Sequence, residues 1–228
     1  LIREPMELLA TEEAVMLRRS YRGIGKRGIG VGYPAKVNLA FDAEQMRLAM
    51  IWTGKFADPG GVWNSQGHGT VRPLSRNPVQ FTNGPDVDDA DSPWIVDEGR
   101  PPRHRFKGYS LDEKRRPKFE YQIGDVIVED YSTDVTDPAS KQPFLRRTLT
   151  LRSSHSSSTL TLRAADGKKV SAIGDGEFLL DGLLRVRMPD VHDASVVSVG
   201  EGQQIRVPLS IRGGDPLVVV IEYVWARR

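Results

Sequence analysis

The sequence predicts a mainly β protein, an antiparallel β-sandwich with a short N-terminal helix and one long irregular loop. Three observations predict it. Val31 to Trp52 holds two alternating runs around a polar turn; strand signals recur from Arg105 to the end; and the segment between them is dense in Gly, Pro, Asn and Asp. Period-two alternation is the mark of a half-buried strand, and many short strands with Gly/Asp turns favour a sandwich or barrel.

Residues Glu4 to Ser20 form the helix candidate. Pro5 suits a first-turn position, Glu7 complements a helix N-terminus and Arg18 and Arg19 its C-terminus, while Leu8, Leu9 and Met16 give a loose apolar stripe. Gly23 stops it. Residues 1–20 are thus set apart from a module over 21–228, with a sub-boundary near 99–105.

The alternating runs come next. Val37, Leu39 and Phe41 fall on one face of the first run, and Met46, Leu48, Met50 and Trp52 on one face of the second, with Asp42-Ala-Glu-Gln45 as the hairpin loop. On this periodicity Trp52 is a core residue. Gly23-Ile-Gly-Lys-Arg-Gly28 formally matches GxGxxG, but a dinucleotide site needs a strand before it and a helix after it. Here the order is reversed, so it reads as a flexible turn.

Thr53 to Arg105 leaves room for little regular structure beyond a strand near Val79–Thr82, and loops of this length in compact domains commonly carry function. Beyond it, strand signals cover Arg105–Tyr109, Lys118–Ile123, Val126–Tyr131, Phe144–Arg152 and Ser158–Arg163. They continue over Lys169–Ile173, Glu177–Leu180, Leu183–Met188, Ser195–Val199, Gln203–Ile211 and Pro216–Trp225. Ile123-Gly-Asp-Val126 and Ala165-Asp-Gly-Lys168 read as hairpin turns. Pro208 implies an edge or a bulge.

Composition narrows the function classes. A chain of 228 residues with 39% hydrophobic and 27% charged residues can bury a sizeable core. A net charge of +2 gives no bulk-charge case for nucleic acid. The longest apolar run, Leu217 to Ile221, is too short to cross a bilayer. With no cysteine, disulfides, thiolate metal sites, cysteine catalysis and covalent CxxCH haem are excluded within the chain. It starts at Leu1 with no basic and apolar leader, as expected of a mature product, a proteolytic piece or an excised domain.

Candidate site residues cluster in the long loop. Asp86, Asp88, Asp89 and Asp91 form a carboxylate array of the kind calcium prefers, though without the Gly and distant Glu of an EF-hand. Alternatively they partly neutralise the basic run Arg100 to Lys118. His68, between Gly67 and Gly69, could be approached closely by a ligand, or be an ordinary polar loop residue. None of the four histidines sits in a zinc motif, and His155 has no GxSxG partner. Trp63 and Trp94 are candidate stacking platforms for a sugar ring or flat cofactor. Asp58, Asp112 and Glu113 are the carboxylates a sugar-acting hydrolase or lyase would draw on, but their separation is not legible in sequence.

Gly30 to Phe56, then Phe106-Lys-Gly-Tyr-Ser-Leu-Asp112, Arg116 to Tyr121 and Gly124 to Asp130, resemble a module of large exported planctomycete-type proteins. There it lies beside c-type cytochrome and sugar-dehydrogenase-like domains. The resemblance spans roughly residues 21 to 150 in wording and order. The strand, Asp-x-x-x, strand, Trp pattern over Val37 to Trp52 also resembles, more weakly, the haem-b sandwiches of the ethylbenzene-dehydrogenase type and related carbohydrate-binding sandwiches. Neither Met46, Met50 nor Lys55 matches an axial-ligand motif. These resemblances imply a non-catalytic sandwich, periplasmic or extracellular, serving docking or assembly beside a haem domain. Haem would then belong to the neighbour. The alternative is carbohydrate binding.

Overall fold

The computed structural model describes residues 4–64, 69–75, 78–153 and 158–226. His68 and His155 lie outside the described residues. In chain order the first strands are β1 (Val15–Arg18), β2 (Gly28–Gly32), β3 (Val37–Asp42), β4 (Arg47–Thr53) and β5 (Ala57–Asp58). The single helical turn α1 (Gly60–Trp63) precedes β6 (Arg72–Pro73), β7 (Val79–Gln80) and β8 (Val87–Asp88). Then follow β9 (His104–Leu111), β10 (Pro117–Ile123), β11 (Val126–Thr136), β12 (Pro143–Ser153), β13 (Ser158–Gly167) and β14 (Val170–Gly174). The last are β15 (Glu177–Leu180), β16 (Leu184–Arg187), β17 (Ser195–Val199), β18 (Gly202–Ile211) and β19 (Leu217–Trp225).

An eight-stranded antiparallel sheet, β14-β15-β16-β19-β12-β11-β10-β9, is the backbone of the sandwich. A five-stranded sheet, β1-β2-β3-β4-β7, and a four-stranded sheet, β17-β18-β13-β8, share one apolar core with it. Alternation makes this possible: Phe119, Tyr121 and Ile123 of β10 and Val126 and Val128 of β11 are buried, while Lys118, Glu120 and Glu129 between them are more exposed. The mainly β sandwich expected from sequence is what forms, and each strand signal after Arg105 corresponds to a strand.

The five-stranded sheet is buried on both faces. One side joins the main core through Val37, Leu39, Phe41 and Leu48; the other covers a second cluster of Tyr21, Met50, Trp52, Phe56, Val62 and Val71. This corrects the single face assigned to Met46, Leu48, Met50 and Trp52. Phe41 pairs with Leu48 but Ala40 pairs with Met50, so the extra residue Ala49 forms a bulge. That bulge turns Met50 and Trp52 to the second cluster, as a one-residue insertion must. Trp52 is a core residue as expected, its indole N–H donating to Phe56 O at 2.9 Å.

Two further expectations are overturned. The N-terminal helix over 1–20 does not form: among the described residues that stretch is irregular until β1, which pairs antiparallel with β2. Val15 and Leu17 pack on the second cluster while Ala14 and Met16 meet the main core, so the apolar period is two, not 3.6. The Asp166-Gly167 turn is not a hairpin either. Both residues continue β13 opposite Gln204 and Gln203, and the chain then crosses to a different sheet. Pro208 lies in a central strand, but β17 ends its pairing at Arg206, so the proline stands where one edge is locally open.

Candidate functional site

The aspartate array does not converge. Asp86 is buried and turned inward, accepting from Leu48 N at 2.7 Å and meeting Arg147 at 2.8 Å and Arg163 at 3.2 Å. Asp88 lies in β8 with its carboxylate on the Asp89 amide, and Asp89 pairs with Arg103. Asp91 is exposed. Among the described residues no three His, Asp or Glu side chains are grouped to hold a metal, so the calcium reading of this loop is not supported by its geometry. A hard cation needs several oxygens on one point.

The tryptophans separate as well. Trp94 is buried; its indole N–H donates to Ala90 O, and Arg206 lies 4.6 Å from its ring centroid, so neither ring face is open as a sugar platform. Trp63, at the end of α1, stays 52% exposed. Asp58 is held by Arg72 and by the Gly60 and Met6 amides. Asp112 accepts from Tyr131 at 2.6 Å, from the Arg116 guanidinium at 2.7 Å and from backbone N–H groups. Desolvation opposes ionisation of Asp112, but these hydrogen bonds outweigh it and hold the group down to about 2. Neither carboxylate is free for acid–base work.

Behind Asp86 lies a buried network that sequence reasoning missed. Arg147 of β12 forks onto Asp130 of β11 at 2.9 and 2.5 Å and also meets Asp86. Arg163 of β13 reaches Asp86, Asp166, and the carbonyls of Gly84 and Trp94. Arg47 of β4 meets Asp42 at 3.5 Å and the Phe81 carbonyl. Burial works against the Arg147 charge, yet Asp130 and Asp86 outweigh it and hold its protonation well above the ordinary arginine range. The network links all three large sheets to the 81–86 segment. The signal for it was present: Arg147 falls in phase with Leu145, Leu149 and Leu151, and Asp130 with Val126 and Val128.

What remains for binding is surface. β9 is the edge of the eight-stranded sheet. It exposes Arg105, Lys107 and Leu111, and with Arg100 these cations make no ion pair among the described residues. At the other end of that sheet a hollow of about 440 Å³ brings together Phe144, Trp225, Gln142, Asp137 and Arg185. A groove of about 810 Å³ carries Glu44, Asp97 and Glu98. A smaller hollow of about 520 Å³ opens between the β1–β2 return and Phe106.

No protein-family model matches the chain, and no curated protein matches it. Among solved structures, a chain assigned as a kojibiose phosphorylase from the human microbiome aligns over 96% of this chain, with 9% identity and a TM-score of 0.44. The aligned part is 29% of that protein's length, and a likeness at this level carries no argument about activity.

Proposed function

We propose that the chain is a non-catalytic β-sandwich module that docks beside a haem-bearing or dehydrogenase-like domain of an exported protein, in the periplasm or outside the cell. The observation that carries this reading is the contrast between interior and edge. Of Asp58, Asp112 and Glu113, the carboxylates from which a catalytic pair would be drawn, the first two are held in structural ion pairs and the third is exposed. The β9 edge, by contrast, has no second strand paired to it among the described residues and lies beside Arg100, Arg105 and Lys107. Cations on an edge strand block self-pairing. They also steer an acidic partner onto that edge.

Titration of the isotopically labelled chain with the haem-bearing domain of its own full-length protein tests this. The expected result is shift perturbation confined to Arg100–Leu111, with affinity weakening as salt rises and falling about tenfold in an Arg105→Glu, Lys107→Glu variant. Absence of binding at low salt, or perturbations elsewhere, would sink it.

A second reading, saccharide binding, is favoured by the Phe144–Trp225 hollow. There the half-buried Trp225 indole, beside a Phe144 ring that is itself covered by Arg146 and Arg187, adjoins the planar polar groups of Gln142, Asp137 and Arg185, the polar and aromatic groups that sugar rings and hydroxyls need. Glycan-array binding lost on Trp225→Ala, with the β9 edge silent, would move the assignment there.

A further inference from the structure

We infer that the hollow between the β1–β2 return and β9 is a binding site for an oxyanion, a phosphate or sulfate ester carried on a carbon skeleton. Arg18, Arg19, Lys26 and Arg27 line it, with Ile29 and Phe106 as apolar wall, and among the described residues no carboxylate does.

The local fold makes this gathering unavoidable. β1 ends at Arg18, which sits opposite Ile29, and Arg19 N donates to Gly28 O at 3.0 Å. The connecting loop returns through Gly23, whose φ of 80° is one that L side chains rarely adopt. Lys26 and Arg27 therefore come back to the end of the strand that Arg18 and Arg19 occupy. At Gly28 a Cβ would meet Arg19 O at 2.7 Å and the Tyr21 ring at 3.0 Å, so that position stays bare. The glycine-rich segment that failed as a dinucleotide motif is the return that assembles these cations.

Their electrostatics is unbalanced. None of the four makes an ion pair among the described residues. The Arg19 guanidinium donates to Arg18 O, and Arg18 lies 5.9 Å from the Tyr109 ring centroid. Like charges set side by side repel and destabilise the return that holds them. A ligand bearing oxyanions reverses the sign of that contribution, and arginine forks match phosphate or sulfate geometry two bonds at a time. Phe106 and Ile29 give the carbon skeleton a dry surface. Lys26 also borders the neighbouring groove, where Glu44, Asp97 and Glu98 repel an anion and confine it to the β9 side.

The inference does not rest on the docking reading. Arg105 pairs opposite Gln122 on the outer face of the sheet, while Phe106, the next residue, points to the inner side and packs with Phe41 and Phe119. The two surfaces can be altered separately.

The test is calorimetric titration of the whole chain with sucrose octasulfate and, separately, with tripolyphosphate, at low and at physiological salt. At least one probe should bind, more weakly at the higher salt, while sucrose should not. Arg19→Glu combined with Lys26→Glu, both on exposed side chains, should weaken binding about tenfold or more at a thermal midpoint no lower than that of the unaltered chain, because the repulsion among the four cations is relieved. The neutral pair Arg18→Gln, Arg27→Gln gives a second route to the same loss. Arg105→Glu, Lys107→Glu should leave affinity at the wild-type level. The preferred probe distinguishes a sulfate-bearing from a phosphate-bearing ligand. Silence of both probes at low salt, unchanged affinity in both hollow variants, or equal loss in the β9 variant would overturn the inference.

Discussion

Tyr121 and Tyr223 show how little of a buried residue's energetics its identity reveals. Both are fully buried on the inner side of the eight-stranded sheet, close to Arg147, and burial raises both phenols above their ordinary range. The Tyr223 hydroxyl donates to Ala164 O at 2.7 Å and so joins β19 to β13. The Tyr121 hydroxyl lies beside Arg147 but makes no well-formed hydrogen bond among the described residues. A buried polar group left unpaired costs stability, whereas a satisfied one contributes about 1 kcal/mol. Tyr121→Phe is therefore expected to hold or raise stability in urea unfolding, and Tyr223→Phe to lower it by about 1 kcal/mol. Equal losses from the two would refute the distinction. At this scale sequence was legible only where pattern and burial coincide, as for Trp52. The arginines of the network were hidden because a charged residue in an apolar phase reads as noise until its partner, distant in sequence, is placed beside it.

At the scale of the element, β2 deserves comparison with its neighbours because it alternates glycine with Ile29 and Val31. The branched side chains enter the main core, and the glycines face the second cluster, where a Cβ on Gly30 would collide with the Tyr21 hydroxyl and ring. One on Gly32 would fall 2.5 Å from the Phe56 ring. Glycine weakens a strand by itself, so here the aromatic rings supply the missing packing. Gly30→Ala is expected to cost about 1–3 kcal/mol by overpacking, and Tyr21→Leu in the same chain should recover part of that loss. A double-mutant cycle without coupling would contradict this contact. Strands with plain alternation were legible in the sequence. Those with an irregularity were not: the Ala49 bulge leaves no mark in composition, and Asp166-Gly167 carries turn chemistry while its carboxylate is held inside by Thr82 and Arg163. The N-terminal segment failed for a related reason. Pro5, Glu7 and the arginines are real helix-end signals, but pairing with β2 and burial of alternate residues outweigh them.

For the whole molecule, the question is whether the Gly- and Pro-rich segment ending near residues 99–105 divides the chain into parts that stand alone. Packing argues for one unit. The main cluster runs from Ala14 to Tyr223 and draws on the five-, eight- and four-stranded sheets together. The segment before that boundary also supplies Asp86, which sits between Arg147 of one sheet and Arg163 of another. Separating the parts would open apolar surface on both sides and leave buried charges without partners, each loss costing several kcal/mol. Unfolding should accordingly be a single cooperative transition. Trp52 reports from the second cluster and Trp225 from the main one, at the C-terminal end of the central strand β19 of the eight-stranded sheet, so chains retaining only one of these tryptophans provide separate probes. The expected outcome is one urea midpoint for both, and for the far-ultraviolet signal. Asp86→Ala should lower that shared midpoint without splitting it. Two resolved midpoints, or a folded fragment spanning 105–228 alone, would show that the boundary is real and that the network only bridges preformed parts.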